Sequence, residues 1–176
     1  MNTPDEEKFM LNNPVTVVPG TAHLFISPLG FHHYASEFLL TARATKRQES
    51  FSPVPYYLYC HSIELSLKAF LLCKGVSKRE LKKKLIHNLD KIFVRACALG
   101  IKAMVNLSTN HEACISKANK YYQAKGFEYF DVKQAGTGYQ NRPDLNDLDC
   151  LAELLLNQLK QCCVEAVDNP PTPITP

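Results

Sequence analysis

Residues 57–72 read Tyr-Leu-Tyr-Cys-His-Ser-Ile-Glu-Leu-Ser-Leu-Lys-Ala-Phe-Leu-Leu, a run whose apolar residues wrap nearly the whole circumference of a helix. At about 100° per residue, Tyr57, His61, Glu64 and Lys68 fall within one narrow stripe. Leu58, Leu65 and Leu72 flank it on one side, Leu67 and Leu71 on the other, and Ile63 and Phe70 lie opposite. A helix apolar all round is a buried one, so the chain must supply cover on several sides. The three ionisable groups carried inside need partners, because an isolated buried charge costs several kcal/mol. His61 and Glu64 stand at i,i+3, and Glu64 and Lys68 at i,i+4 in the favourable order. The stripe is therefore either a structural polar network or one wall of a ligand-binding or catalytic cleft, and spacing leaves both readings open.

The cover is helical too. Ser27-Pro28 is a helix start, a capping hydroxyl followed by proline where no amide hydrogen is needed. Phe31, Tyr34, Ala35, Phe38, Leu39 and Ala42 then lay an apolar stripe on a helix ending near Lys46. Phe51 to Pro55 reads as a connection and the striped helix as running from about Tyr56 to Lys74, with Gly75 closing it. Ser77 to Glu80 and Thr109 to Glu112 both have the capping-box spacing, and they predict helices starting there. Another helix spans about Leu89 to Leu99, closed by Gly100. Gly126 closes the helix that ends at Tyr121 and Tyr122, and Phe127 to Val132 reads as a short extended piece. A final helix from about Asp144–Asp147 carries Leu148, Leu151, Leu155, Leu159, Cys162 and Ala166 as its stripe. The fold class expected is all-α, an up-and-down bundle of four to six helices over residues 27–167. Residues 1–26 read as an irregular lead-in. Residues 168–176, with four prolines in nine, read as an extended or disordered tail.

Composition narrows the partners. A chain of 176 residues with 45% hydrophobic and 21% charged residues suits one globular domain, and a net charge of +3 gives no overall pull toward nucleic acid or membrane. The seven cysteines are odd in number and form no Cys-x-x-Cys pair, which points to free thiols on apolar helical positions. With no apolar stretch after Met1 and no run near the roughly 18 residues needed to span a bilayer, the expectation is a cytoplasmic protein without a membrane segment.

Local clusters add candidates. Lys78, Arg79, Lys82, Lys83 and Lys84 put five cations in seven residues, either a phosphate-contacting patch beside His87 or the solvated face of a short helix. His32, His33 and His111 have no spacing that builds a metal site; His33 and Glu37 are one turn apart, and two ligands do not make one. Gly136-Thr137-Gly138 lacks the context of a phosphate loop. Tyr121, Tyr122, Phe127, Tyr129 and Phe130 read as core packing more than as a stacking platform for bases. No cofactor or metal is expected.

The run His61-x-x-Glu64-Leu65-x-x-Lys68-Ala69-x-Leu71, then Gly75, a basic short helix and His87-Asn88-Leu89-x-x-Ile92 with a later Gly100, resembles the pattern of the HEPN superfamily. In that pattern a glycine turn is followed by a Gly-His-Asp-Leu segment; here Ile86 and Asn88 stand in the glycine and aspartate places. Tyr139-x-x-Arg142-Pro143 resembles the Arg-Tyr-Pro segment of some members. The likeness spans about Tyr57 to Ile101. It implies an antiparallel four- to five-helix bundle that dimerises, with a polar cleft near the dimer or helix-pair interface. Members of that superfamily include metal-independent ribonucleases of toxin–antitoxin and phage-defence systems, and non-catalytic modules that bind nucleotides or partner a nucleotidyltransferase.

The ribonuclease members carry arginine, four to six intervening residues, then histidine. No histidine of this chain has that arginine; Arg79 precedes His87 by eight positions, and Lys82 sits at the four-residue gap. Lysine supplies charge without the planar fork that grips phosphate bidentately. The first reading is accordingly a non-catalytic, homodimeric module binding a nucleotide, RNA or a protein partner through Tyr57, His61, Glu64, Lys68, Lys82, Lys83, Asp90 and Arg142. The second is a metal-independent ribonuclease with His87 or His61 as the catalytic acid–base group. The third is a purely structural interaction domain.

Overall fold

The computed structural model describes residues 17–18, 21–22, 27–45, 51–129 and 139–174. It is an all-helical bundle. Helices α1 (Pro28–Thr45), α2 (Pro53–Cys73), α4 (Leu89–Ala98), α6 (Thr109–Tyr122) and α7 (Leu145–Asp168) have ten or more residues; α3 (Lys78–Glu80) and α5 (Ile101–Met104) are single turns. Before them, β1 (Val17–Val18) and β2 (Thr21–Ala22) form a two-residue antiparallel pair in what was read as irregular lead-in. The rest of that lead-in, Phe130 to Val132 and Gly136 to Gly138 lie outside the described residues.

The all-round apolar helix is the axis of the bundle. Fourteen of the 21 residues of α2 are buried, and α1, α7, α4 and α6 all pack on it. Helices α1, α2 and α7 also meet one another. Ala35 and Ala42, both fully buried, leave room for close approach at the α1–α2 seam, where the Ser62 hydroxyl donates to the Ala35 carbonyl at 2.7 Å. Tyr59, Ile63, Leu67, Phe70 and Leu71 meet Leu148, Leu151, Leu155 and Leu159 in one core. Each such side chain contributes about 1.5–3 kcal/mol on burial. At the surface, Arg43 ties α1 to Asp149 (2.7 Å) and Glu153 (3.1 Å) of α7.

Several helix ends fall where local chemistry, not core periodicity, puts them. Ser52 caps α2 and Pro53 and Pro55 lie in its first turn, so the stretch read as a connection is the helix start, at positions whose amides have no helical acceptor anyway. Ser108, not Thr109, caps α6, with His111 closing the box. Ser77 accepts from the Glu80 amide, but the Glu80 carboxylate goes to Arg95 at 3.0 Å instead of back to the cap. Residues 127–129 form turns, not an extended piece, and the left-handed residue after α6 is Lys125 (φ 58°), one before Gly126. On α1, Tyr34 points to solvent; on α7, Cys163 is fully buried and Cys162 only half so.

The tail is extended, as its prolines require, but it is docked. The Ile174 amide donates to the Gly75 carbonyl at 2.9 Å, and Ile174 packs on the core. Gly75 has φ +81°, and a Cβ there would lie 2.2 Å from the Thr172 carbonyl oxygen; conformation and close approach both demand glycine.

Candidate functional site

Glu64 is only 1% exposed and is the hub of a polar knot. From the next turn of α2, Lys68 Nζ donates to Glu64 Oε1 at 2.6 Å. From α6, the Tyr122 hydroxyl donates to Oε2 at 2.6 Å. From the start of the segment leading into α4, His87 Nδ1 stands 3.1 Å from both carboxylate oxygens. Because the Tyr122 hydrogen goes to the carboxylate, its oxygen accepts from His61 Nδ1–H at 2.7 Å, a tautomer assigned from the bonding network. The direct His61–Glu64 contact allowed by i,i+3 spacing is thus replaced: the Tyr122 hydroxyl, arriving from another helix, stands between them.

The environment sets the charges. Burial pushes the Glu64 carboxyl up, but the Lys68 ammonium, the hydrogen bonds from Lys68 and Tyr122 and the charge of His87 together hold it below the usual carboxylate range. Burial lowers His61, with the Glu64 charge only partly opposing it. Its ring is stacked with Tyr57 (5.6 Å between centroids) and edge-on to Phe38 (4.4 Å). Burial, then the neighbouring carboxylate, raises Tyr122 far above the ordinary phenol range, so it stays a donor. Burial likewise raises Tyr57.

His87 connects this buried knot to the surface. Its side chain is 54% exposed while Nδ1 is held by Glu64, which leaves the other ring nitrogen available. It lines a cleft of about 280 Å³ with Phe31, Lys68, Lys78, Leu81, Lys82 and Ile86. The floor and walls are apolar and the polar groups are cationic. Lys68 is neutralised by Glu64, whereas Lys78 and Lys82 have no carboxylate within ion-pair distance among the described residues.

The backbone here is unusual in two ways. After α3 the chain makes one wide turn, Leu81–Leu85, in which the Ile86 amide reaches the Leu81 carbonyl at 3.0 Å, five residues back. Such turns cluster at functional sites. Ile86 then adopts φ 48°, ψ −117°, costly for a β-branched residue. In that conformation its carbonyl accepts a second hydrogen bond from Lys68 Nζ, at 2.5 Å.

Of the residues singled out from sequence, Glu64, Lys68, His87 and His61 converge, Tyr57 stacks behind His61, and Lys82 lines the cleft. Lys83 is exposed and does not line it. Asp90 belongs elsewhere: it accepts from Asn119 Nδ2 at 2.7 Å and from the Ser116 hydroxyl at 2.9 Å. Arg142 donates to the Tyr56 hydroxyl at 2.9 Å and lies over the Phe51 ring at 5.0 Å, within the aromatic group of Phe51, Tyr56, Tyr121, Phe127 and Tyr139. Tyr56, Phe127 and Tyr139 of that group are core, whereas Tyr121 is partly buried and Phe51 lies at the surface. Tyr122, Phe31 and the backbone of Ile86 are the parts of the site that sequence reasoning missed. For Tyr122 a signal existed: Ile115, Ala118 and Tyr122 share one face of α6, and a buried tyrosine hydroxyl needs a partner.

Among the described residues no three His, Cys, Asp or Glu side chains gather as metal ligands, and no helix is long and apolar enough to cross a membrane. Comparison with protein-family models, with curated proteins and with solved structures gave no match.

Proposed function

We propose that the chain binds a phosphate-bearing ligand, a nucleotide or an RNA segment, in the cleft beside His87, and that it does so as a non-catalytic, HEPN-like homodimeric module. The observation that carries this reading is the pair of cations without carboxylate partners, Lys78 and Lys82, set around apolar Phe31, Leu81 and Ile86. Cations already neutralised by the fold have little left to offer an anion; these two retain their full charge. The HEPN part of the proposal rests on the resemblance over residues 57–101. It is supported by the left-handed φ at Ile86, the place where that pattern carries glycine.

The test is titration of a fluorescent single-stranded RNA and of mononucleotides against wild type and the Lys78→Ala/Lys82→Ala double variant. Tenfold or greater loss is expected, with the dependence of log K on log salt shallower by about 1.4 for the RNA, two contacts at about 0.7 each. Equal affinity and equal slope in the variant overturn the reading. Sedimentation as a monomer at high concentration removes its dimeric part.

One observation favours the second reading, a metal-independent ribonuclease. Glu64 holds His87 Nδ1, the arrangement by which a carboxylate orients an imidazole for proton transfer, and such help is worth about 10²–10⁴ in rate. RNA cleavage in the presence of EDTA that disappears in His87→Ala would move that reading to first place.

A further inference from the structure

Three thiols gather where α2 ends against α7. Cys73 is the last residue of α2, and its Sγ lies 3.8 Å from Cys163 Sγ; Cys162, the neighbour of Cys163, also interacts with the Cys73 thiol. Exposure grades across the group. Cys163 is fully buried, whereas Cys73 and Cys162 are half-buried. All seven cysteines of the chain are free, and this cluster lies outside the Glu64 knot and the cleft.

We propose that Cys73 and Cys163 form a reversible intramolecular disulfide when the protein meets a low-molecular-weight disulfide such as oxidised glutathione. The separation is van der Waals contact, so the two sulfurs have less than about 2 Å to close to reach a bond length of about 2.05 Å. The half-buried Cys73 loses its proton and attacks one sulfur of the oxidant. That makes a mixed disulfide and releases one glutathione thiolate, which takes up a proton. Cys163, packed inside against Cys73, then loses its proton and attacks Cys73 Sγ, expelling the second glutathione. Two protein thiols are oxidised, the glutathione disulfide is reduced to two thiols, and no other reactant is needed. The Cys162 contact lowers the Cys73 thiol, but the hydrogen bond with Cys163, burial and the Cys163 charge outweigh it and raise the thiol to about 12, so oxidation is slow at neutral pH and quickens as pH rises.

The consequence is mechanical. The two residues are 90 apart in sequence, and a bond closing so long a loop constrains the unfolded chain strongly. It also fixes the end of α2 two residues before Gly75, where the tail docks.

The experiment incubates the full-length protein with oxidised glutathione at pH 8 to 9 and maps tryptic peptides without reduction. The expected product is residues 69–74 joined to residues 161–176, about 2 Da lighter than the two reduced peptides together. A melting temperature roughly 10 °C higher, reversed by dithiothreitol, should accompany it. The linked peptide should persist in Cys162→Ala and vanish in both Cys163→Ala and Cys73→Ala. Cys73 is only half-buried, so its truncation leaves a smaller cavity than that of buried Cys163. A wild-type protein that gives only glutathione adducts, at exposed Cys150 for example, overturns the proposal. A link that survives in Cys163→Ala overturns the assigned pairing.

Discussion

Two polar knots hang from α6 one turn apart, and they do opposite things. Asn119 takes the Leu89 amide on its side-chain oxygen at 2.8 Å and gives its hydrogens to Asp90 and to neighbouring amide oxygens. It thereby joins Asn88, whose side chain accepts from the Lys91 amide, in fastening the first turn of α4, and the contacts of its members found here all run within the fold. Tyr122, three residues on, reaches Glu64, and that knot has an outlet: through His87 it opens on a cleft edged by lysines. The difference teaches how to tell a structural network from a candidate site inside one small domain. Both are well bonded, and only one of them opens, through a histidine, on a cleft edged by lysines.

The contrast can be broken most sharply at Lys68. Lys68→Met keeps the stem and removes the charge, leaving the Glu64 carboxylate buried without its cation; a loss of about 3–5 kcal/mol is expected in urea unfolding. Adding Glu64→Gln should recover most of it. A cost below 1 kcal/mol for the single change would show that Glu64 is not held by that charge.

Acid attacks the same knot from another side, and the signs agree. His61, lowered by burial, resists protonation when folded, so stability falls as pH drops through its ordinary value of 6.5. The Glu64 carboxyl is also lowered, so its contribution is present above its ordinary value of 4.5 and is lost as pH falls below that. Thermal melts from pH 8 to 3 should therefore decline in two stages. His61→Gln, which keeps a donor for the Tyr122 hydroxyl, should remove the upper stage only; a profile identical to wild type would mean that His61 is not buried as described.

The Asn119 knot predicts a smaller effect. Asn119→Ala strands the Leu89 amide and leaves Asp90 with the Ser116 hydroxyl alone of its two side-chain donors, at a cost of about 1–3 kcal/mol, while ligand affinity at the cleft stays unchanged. A fall in affinity as large as the fall in stability would erase the distinction between the knots. The smallest effect is a gain. Ile86→Gly relieves a left-handed β-branched residue worth about 1–2 kcal/mol against about 0.5–1 kcal/mol for the freer unfolded chain. A net rise of about 0.5–1 kcal/mol should appear in the same unfolding assay.

Sequence carried the architecture because burial leaves a periodic trace. The apolar wrap of residues 57–72 predicted a central helix, and α2 is that helix, with 14 buried residues. Within it the stripe named Glu64 and Lys68 correctly as partners, since both lie on one element. Which residues met across elements was not legible, even where burial of one of them was. Tyr122 is 58 residues from Glu64 and sat among aromatics that read as core. Asp90 stood near His87 in sequence, yet the start of α4 turns it toward Asn119. Arg142 was chosen from the resemblance and lies instead over the Phe51 ring. The φ of Ile86 had no trace at all in its side chain, since isoleucine is the residue least expected to adopt it.

The wide turn at Leu81–Leu85 has a consequence for how this segment tolerates change. It holds one residue more than an α-helical turn would, and that surplus residue sets the phase at which His87 emerges toward Glu64. The three lysines inside it, Lys82 to Lys84, are exposed; exchanging them leaves that phase intact, though exchanging Lys82 removes a cation from the cleft. Deleting any one of them would tighten the turn to ordinary helix and swing His87 through about 100°, away from its carboxylate. The segment is a counted spacer, fixed in length, and its composition is free only where Lys83 and Lys84 face solvent away from the cleft.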